Sequence, residues 1–260
     1  MDLQHAFAIA RKDLKEVFGS IAIYGPMIFI PLFFAVTLPL FTLYISKYAG
    51  PQLASKLMGI FIGSGSSAGT LYFIRFFSVN VLGPVFLTMP IITASVIAAD
   101  SFAGEKERKT AESLLTTPIT NGEVLLGKLL ASFIPALLLT LLVFAVYGSI
   151  TDYITMNAYN VLLFPNVSWY LMLLNAPLLA ITTIGLVVVV SSKAKGIKEA
   201  QQISTLLILP ILVIPFASIF NISTLNTGFF LGMLAVLAAT SVVVMLLGMR
   251  LFDRENFITT

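Results

Sequence analysis

The chain has 260 residues, of which 58% are hydrophobic and only 10% charged, with a formal charge of +3. That is under half of the roughly 25% charge of a soluble domain, too little to solvate a globular surface, so lipid is the expected solvent for most of the chain. The absence of cysteine excludes a disulfide framework, thiolate metal ligation and cysteine nucleophiles, and a single histidine, His5, removes most acid–base and metal chemistry. A basic balance in a soluble protein would suggest nucleic acid. Here Lys and Arg gather at the ends of apolar runs, which is the topology signal of a membrane protein, and no nucleic-acid partner is expected.

At the N-terminus, Leu3, Phe7, Ala10, Leu14, Val17 and Phe18 recur at helical intervals, while Arg11, Lys12, Asp13, Lys15 and Glu16 fill the opposite face. Residues 1–19 are therefore predicted to form an amphipathic helix along the membrane interface, as a stiff elbow or a plain anchor. Their even mixture of charged and apolar residues lacks the uninterrupted apolar core of a cleavable signal peptide.

Six stretches with almost no charge follow, at 21–45, 76–99, 124–150, 168–191, 203–221 and 228–249. Each approaches the roughly 20 residues that cross a hydrocarbon core of about 30 Å at 1.5 Å per residue. The fifth contains Pro210 and Pro215 and is expected to be the least regular. Between the first two, the outer loop 46–75 carries Gly63-Ser-Gly-Ser-Ser-Ala-Gly69, which interrupts any helix there. No internal repeat is visible.

Arg11, Lys12, Lys15, Lys106, Arg108, Lys109, Lys128, Lys193, Lys195, Lys198, Arg250 and Arg254 fall on one side of this pattern, leaving only Lys47, Lys56 and Arg75 on the other. The positive-inside rule then places both termini in the cytoplasm. The expected fold is thus an all-α integral membrane protein with six transmembrane helices and an amphipathic elbow, multi-pass in the cell membrane.

Ionisable residues in mid-membrane mark proton relays and ion pathways, and the six stretches hold none away from their ends. Asp100 closes the second and is expected to be a solvated cap at headgroup level. Ser64, Ser66 and Ser67 have no residue nearby that could activate them as nucleophiles, and no phosphate-cradling lysine loop is present. The chain is expected to be no enzyme and to bind no cofactor itself.

The connection 100–123 is the most charged part of the chain. Five successive charges from Glu105 to Lys109 precede an apolar cluster at Ala111, Leu114 and Leu115, and Pro118 disfavours helix at Thr117. A short amphipathic helix of about three turns is predicted. Directly after it, Thr120-Asn-Gly-Glu123 fits a capping box that starts the third span.

The string Gly104-Glu-Lys-Glu-Arg-Lys-Thr-Ala-Glu-Ser-Leu-Leu-Thr-Thr-Pro118, followed by Gly127-Lys-Leu-Leu130, resembles the signature of ABC-2 type transporter permeases, especially their sodium- and drug-efflux-like branch. Elbow, six spans and motif between spans two and three are similar to that family over nearly the whole chain. Lys109 departs from it, standing where many members carry glycine.

The resemblance implies a membrane subunit of an ABC exporter, moving a drug, lipid, ion or peptide out of the cytoplasm. Residues of about 101–117 would form a coupling helix docked on a separate ABC ATPase, present in two copies and carrying ATP and Mg²⁺. Glu105, Glu107 and Glu112 would pair with basic groups of that ATPase and Leu114 and Leu115 would add apolar contact; Lys106, Arg108, Lys109, Thr110 and Pro118 complete the coupling motif. One six-helix chain cannot enclose a path, so a second permease is implied, as a homodimer or with a related chain. Pro26, Pro31, Pro39, Pro84, Pro90, Pro210 and Pro215 stand as kinks that could line the path or as merely tolerated prolines, and Phe73, Phe76 and Phe77 beside Arg75 read as an interfacial belt. An uncharged interior rich in aromatic residues and methionine suits amphiphiles or membrane lipid. Competing readings are an ATP-independent carrier or channel, an intramembrane enzyme, and a structural assembly factor.

Overall fold

The computed structural model describes residues 3–48, 56, 70–108, 119–194, 196–217 and 227–251. The glycine–serine tract 63–69 lies outside the described residues, as do Lys109, Thr110, Glu112, Leu114, Leu115 and Pro118, Lys195 and Arg254, and the side chains of Lys47, Pro26, Pro84, Pro210 and Pro215. Among the described residues all regular structure is helical, with no strand. Four helical segments are long and apolar enough to cross a membrane: Met27–Ile45, Asn121–Tyr159, Val167–Ser191 and Gly228–Arg250. The chain is therefore a multi-pass membrane protein.

Helix α1 (Leu3–Gly19) and helix α2 (Ile21–Tyr48) meet at Ser20, whose amide donates to the Val17 carbonyl at 3.2 Å while its carbonyl accepts from Tyr24 at 3.1 Å. The two faces expected of α1 resolve into three. Ala6, Ile9, Ala10 and Val17 are buried against the protein, Leu3, Phe7 and Phe18 are exposed apolar groups, and Arg11, Lys15 and Glu16 are exposed and charged. Asp13, expected on the charged face, is buried at 3% exposure.

The second apolar stretch belongs to a rod of successive helical pieces, called the second rod: α3 (Thr70–Phe76), a π-helical turn Phe77–Leu82, α4 (Gly83–Phe86), α5 (Thr88–Ala99), a second π-helical turn Asp100–Gly104 and α6 (Glu105–Glu107). The residues at the junctions keep right-handed helical dihedrals, so the direction of the chain persists while its winding changes. Pro84, directly after the first π turn, lacks the N–H that an α-helix needs at that rung. Near the first π turn the Ser78 carbonyl accepts from the buried Tyr147 hydroxyl at 3.0 Å.

Helix α7 (Asn121–Tyr159) begins at the expected capping box: the Glu123 amide donates to Thr120 Oγ1 at 3.4 Å and the Thr120 amide to Glu123 Oε2 at 2.9 Å. It runs past the apolar stretch that ends at 150, its last turns supported by Thr151 and Thr155 hydroxyls donating to carbonyls one turn back. Asn160, in the left-handed region at φ 55°, ends it. Asp152 then accepts from the amides of Leu163 and Phe164 at 2.8 and 2.9 Å, holding the turn to α8 (Val167–Ser191), which Asn166 caps through the Trp169 amide. Helices α9 (Ile197–Ala217) and α10 (Thr227–Leu251) complete the bundle.

Two buried clusters fill the interior. One is aromatic, with Phe86, Phe144, Tyr147, Phe164 and Trp169 in mutual ring contact. The other, built of Ala94, Ala98, Ala99, Ala103, Ala136, Ala180 and Ala200 with Phe102, Ile184, Val187 and Val188, lies toward the end where α1, α6 and the start of α7 meet. Small residues let helices approach closely where lipid supplies no hydrophobic drive. At Gly185, a Cβ would stand 2.8 Å from Val244 of α10.

Candidate functional site

Where α1, the second rod and α7 converge, four charged side chains and a serine form a buried ionic junction. Lys128 of α7 is only 2% exposed, and its Nζ lies 2.7 Å from Glu105 Oε2 and 3.7 Å from Asp13 Oδ2. The other oxygen of Glu105 meets Lys12 Nζ at 2.9 Å, so one carboxylate bridges two ammonium groups from different helices. Ser101, in the second π turn, donates its hydroxyl to Asp13, and its carbonyl accepts from Lys128. The Phe102 ring lies 5.2 Å from Lys128 Nζ, offering its face to the cation.

Local sequence explains each position. Asp13 shares the buried stripe of α1 with Ala6, Ile9, Ala10 and Val17, and Lys128 follows Gly127, the point of closest approach to that helix. A Cβ on Gly127 would stand 2.7 Å from the Ala6 carbonyl and 2.8 Å from Ile9 Cβ, so only glycine lets α1 seat deeply enough for Asp13 to reach the junction. The Ser101 carbonyl, within the second π turn, accepts from the Lys128 side chain.

The electrostatics of the junction are unequal. Burial pushes the Asp13 carboxyl up, and Lys128 and the Ser101 hydroxyl offset this only in part, so it sits above the ordinary aspartate value. Burial acts in the same direction on Glu105, but the charges and hydrogen bonds of Lys128 and Lys12 outweigh it and hold Glu105 below its ordinary value. For Lys12, burial pulls down while Glu105, Asp13 and Glu16 pull up more strongly, leaving the ammonium above its usual range. Removing one member of such a set strands a buried charge, which costs more than the assembled set contributes.

Further contacts extend from the same stretch. Arg108 Nη2 reaches Asp100 Oδ1 at 3.1 Å, and Glu107 Oε2 accepts from the Ile197 amide at 2.9 Å, joining the end of the second rod to the start of α9. His5 Nδ1 lies 3.7 Å from Glu123. Beside these contacts a groove of about 760 Å³ runs between α2, the second rod and α9. Its wall is apolar, with Met27, Pro31, Phe34, Met89 and Ile92, and it ends in Asp100, Lys198 and Gln201.

Of the residues expected to face an ATPase, Glu105 is 5% exposed and bound within the chain to Lys12 and Lys128. A run of five charges reads in sequence as a solvated face, and Glu105 at its head is enclosed by these two lysines. Glu107 and Arg108 are exposed but already engaged by Ile197 and Asp100, and Lys106 is half-buried. Asp100, expected to be a solvated cap, is buried at 3% and paired with Arg108. Of the prolines weighed as path-lining, Pro31 is on the groove wall. Sequence reasoning missed the junction itself, since Lys128 counted only as a flanking positive charge and as part of the Gly127-Lys-Leu-Leu130 motif. Its one local signal was a lysine in the second turn of an otherwise apolar helix, directly after a glycine.

Comparison with known proteins agrees with this architecture. The family model described as "ABC-2 family transporter protein" matches residues 7–232. A segment of 51 residues is 47% identical to the ABC transporter permease protein NatB of Bacillus subtilis (strain 168), covering 20% of this chain and 13% of that protein. With its model matched from α1 into α10, the chain belongs to the ABC-2 family of transporter permeases.

Proposed function

We propose that this chain is the membrane-spanning subunit of an ATP-driven exporter that moves substrate out of the cytoplasm of a prokaryote. In this reading α2, the second rod, α7, α8, α9 and α10 are six spans, α1 is the elbow, both termini are cytoplasmic, and residues 109–118 lie at the contact with the ATPase. Two such permeases, as a homodimer, work with two ATPase copies that carry ATP and Mg²⁺.

The observation that supports it most is the junction at Lys128. It joins elbow, third span and the end of the second rod immediately before residue 109, so that a displacement entering at 109–118 reaches three membrane elements through short charged contacts. Glu105 acts inside this joint, and the partner contact falls to Lys106, Lys109, Thr110, Glu112, Leu114, Leu115 and Pro118. Charge pairs at such an interface set register more than affinity. The apolar groove ending in Asp100, Lys198 and Gln201 suits an amphiphile, with the second permease closing its open side.

Affinity purification of the chain in mild detergent tests the reading. An ABC ATPase is expected to co-purify, with ATP hydrolysis stimulated by substrate and lowered by Glu112→Lys. A chain that purifies alone and transports in liposomes without ATP is a carrier or channel, and the reading fails.

A further inference from the structure

The five residues Gly104–Arg108 engage two sides of the molecule. Glu105 faces α1 and α7, but Glu107 and Arg108 contact Ile197 and Asp100, which line the groove. Glu107 Oε2 accepts from the amide of Ile197, the first residue of α9, at 2.9 Å. A carboxylate at a helix start meets unpaired amides and the positive end of the helix dipole, so Glu107 caps α9 from ninety residues away in sequence. Gly196 makes room for it: a Cβ there would stand 2.8 Å from Glu107 Oε2. On the neighbouring side Arg108 holds Asp100, and a Cβ on Gly104 would collide with Arg108 at 2.8 Å and press on Ile197 at 3.3 Å. Ile197, Lys198, Gln201 and Asp100 are also the residues that form the charged mouth of the groove. The two residues that precede segment 109–118 therefore hold both edges of that mouth.

We propose that Glu107 is a positioning residue that clamps the start of α9 to the end of the second rod, so that a displacement of residues 105–108 moves Ile197, Lys198 and Gln201 and changes the width of the groove mouth. The inference rests on the function proposed above, in which an ATPase supplies the displacement. It assigns the motif two separate outputs: Glu105 to the elbow and third span, Glu107 to the groove.

The chain has no cysteine, so single reporters are unambiguous. Gln201→Cys reports on the groove mouth and Lys15→Cys, exposed on α1, on the elbow. Each is placed in the full chain purified with its ATPase, and maleimide labelling rates are compared with and without a non-hydrolysable ATP analogue. In the parent chain both rates are expected to respond to nucleotide, by about fivefold or more for a typical coupled pair of sites. Glu107→Ala and Gly196→Ala, which break the clamp from opposite sides, should abolish the response at 201 and leave that at 15. Glu107→Gln retains an acceptor oxygen and should keep both. A response at 201 that survives Glu107→Ala and Gly196→Ala overturns the clamp, as does simultaneous loss at both reporters, which would mark Glu107 as a general structural support. A parent complex with no nucleotide response at either reporter overturns the transporter reading itself and the clamp with it.

Discussion

Lys128 is buried at 2% exposure, and two carboxylates, a backbone carbonyl and the Phe102 ring meet its side-chain nitrogen from three helical elements. Lys128→Met leaves Glu105 and Asp13 buried without that partner, and a loss of about 3–5 kcal/mol is expected for breaking such a set, read as a fall in the thermal midpoint of the detergent-solubilised protein. The double variant Lys128→Met/Glu105→Gln should recover much of the loss, because it removes a stranded charge; if it is less stable than the single variant, the cluster is not a compensated ion set. The pH response follows from the signs. Glu105 lies below its ordinary value of 4.5, so its stabilisation is full above that value and is lost as pH falls through the lowered folded value. Asp13 lies above its ordinary 3.8, so its contribution is full below 3.8 and is lost as pH rises through the raised folded value. Amide exchange of α1, corrected for intrinsic rates, should therefore slow as acidification protonates Asp13 and quicken again once Glu105 is protonated. Exchange that quickens steadily from neutral pH downward would contradict this assignment.

Among the elements, α1 and α7 depend on a backbone contact that no side chain can relax. Gly127→Ala would place a Cβ 2.7 Å from the Ala6 carbonyl, and because the obstacle is backbone, the elbow must move. Overpacking of this kind costs about 1–3 kcal/mol, so α1 amides should exchange roughly tenfold faster while α8 and α10 are unchanged; unaltered protection of α1 would show that the elbow is not seated by Gly127. The start of α7 was legible because a capping box is made by four neighbouring residues and nothing else. The division of α1 into three faces was not, since Asp13 and Lys12 are adjacent in sequence and only the position of α7 decides which is buried. The π turns at Phe77–Leu82 and Asp100–Gly104 were equally hidden: Pro84 marks a broken rung just after the first but not how the chain winds around it, and no proline lies near the second.

At the scale of the whole molecule, the apolar runs, the charge asymmetry and the motif at 104–130 were enough to identify a helical membrane protein and an ABC-2 permease. These properties belong to the sequence itself: hydropathy is a sum over neighbouring residues, and a motif is a local string. What the tertiary structure alone decided is the direction in which the charged residues act. Glu105, Lys12, Asp13 and Lys128 come from segments as much as 116 positions apart, and Glu107 meets Ile197 across ninety. A charge at the end of an apolar run looks the same in sequence whether it faces water, lipid headgroups or another helix. Only the packing of α1, α7 and α9 around the end of the second rod turned a string of apparent surface charges into an internal joint, because burial depends on neighbours that linear order does not name.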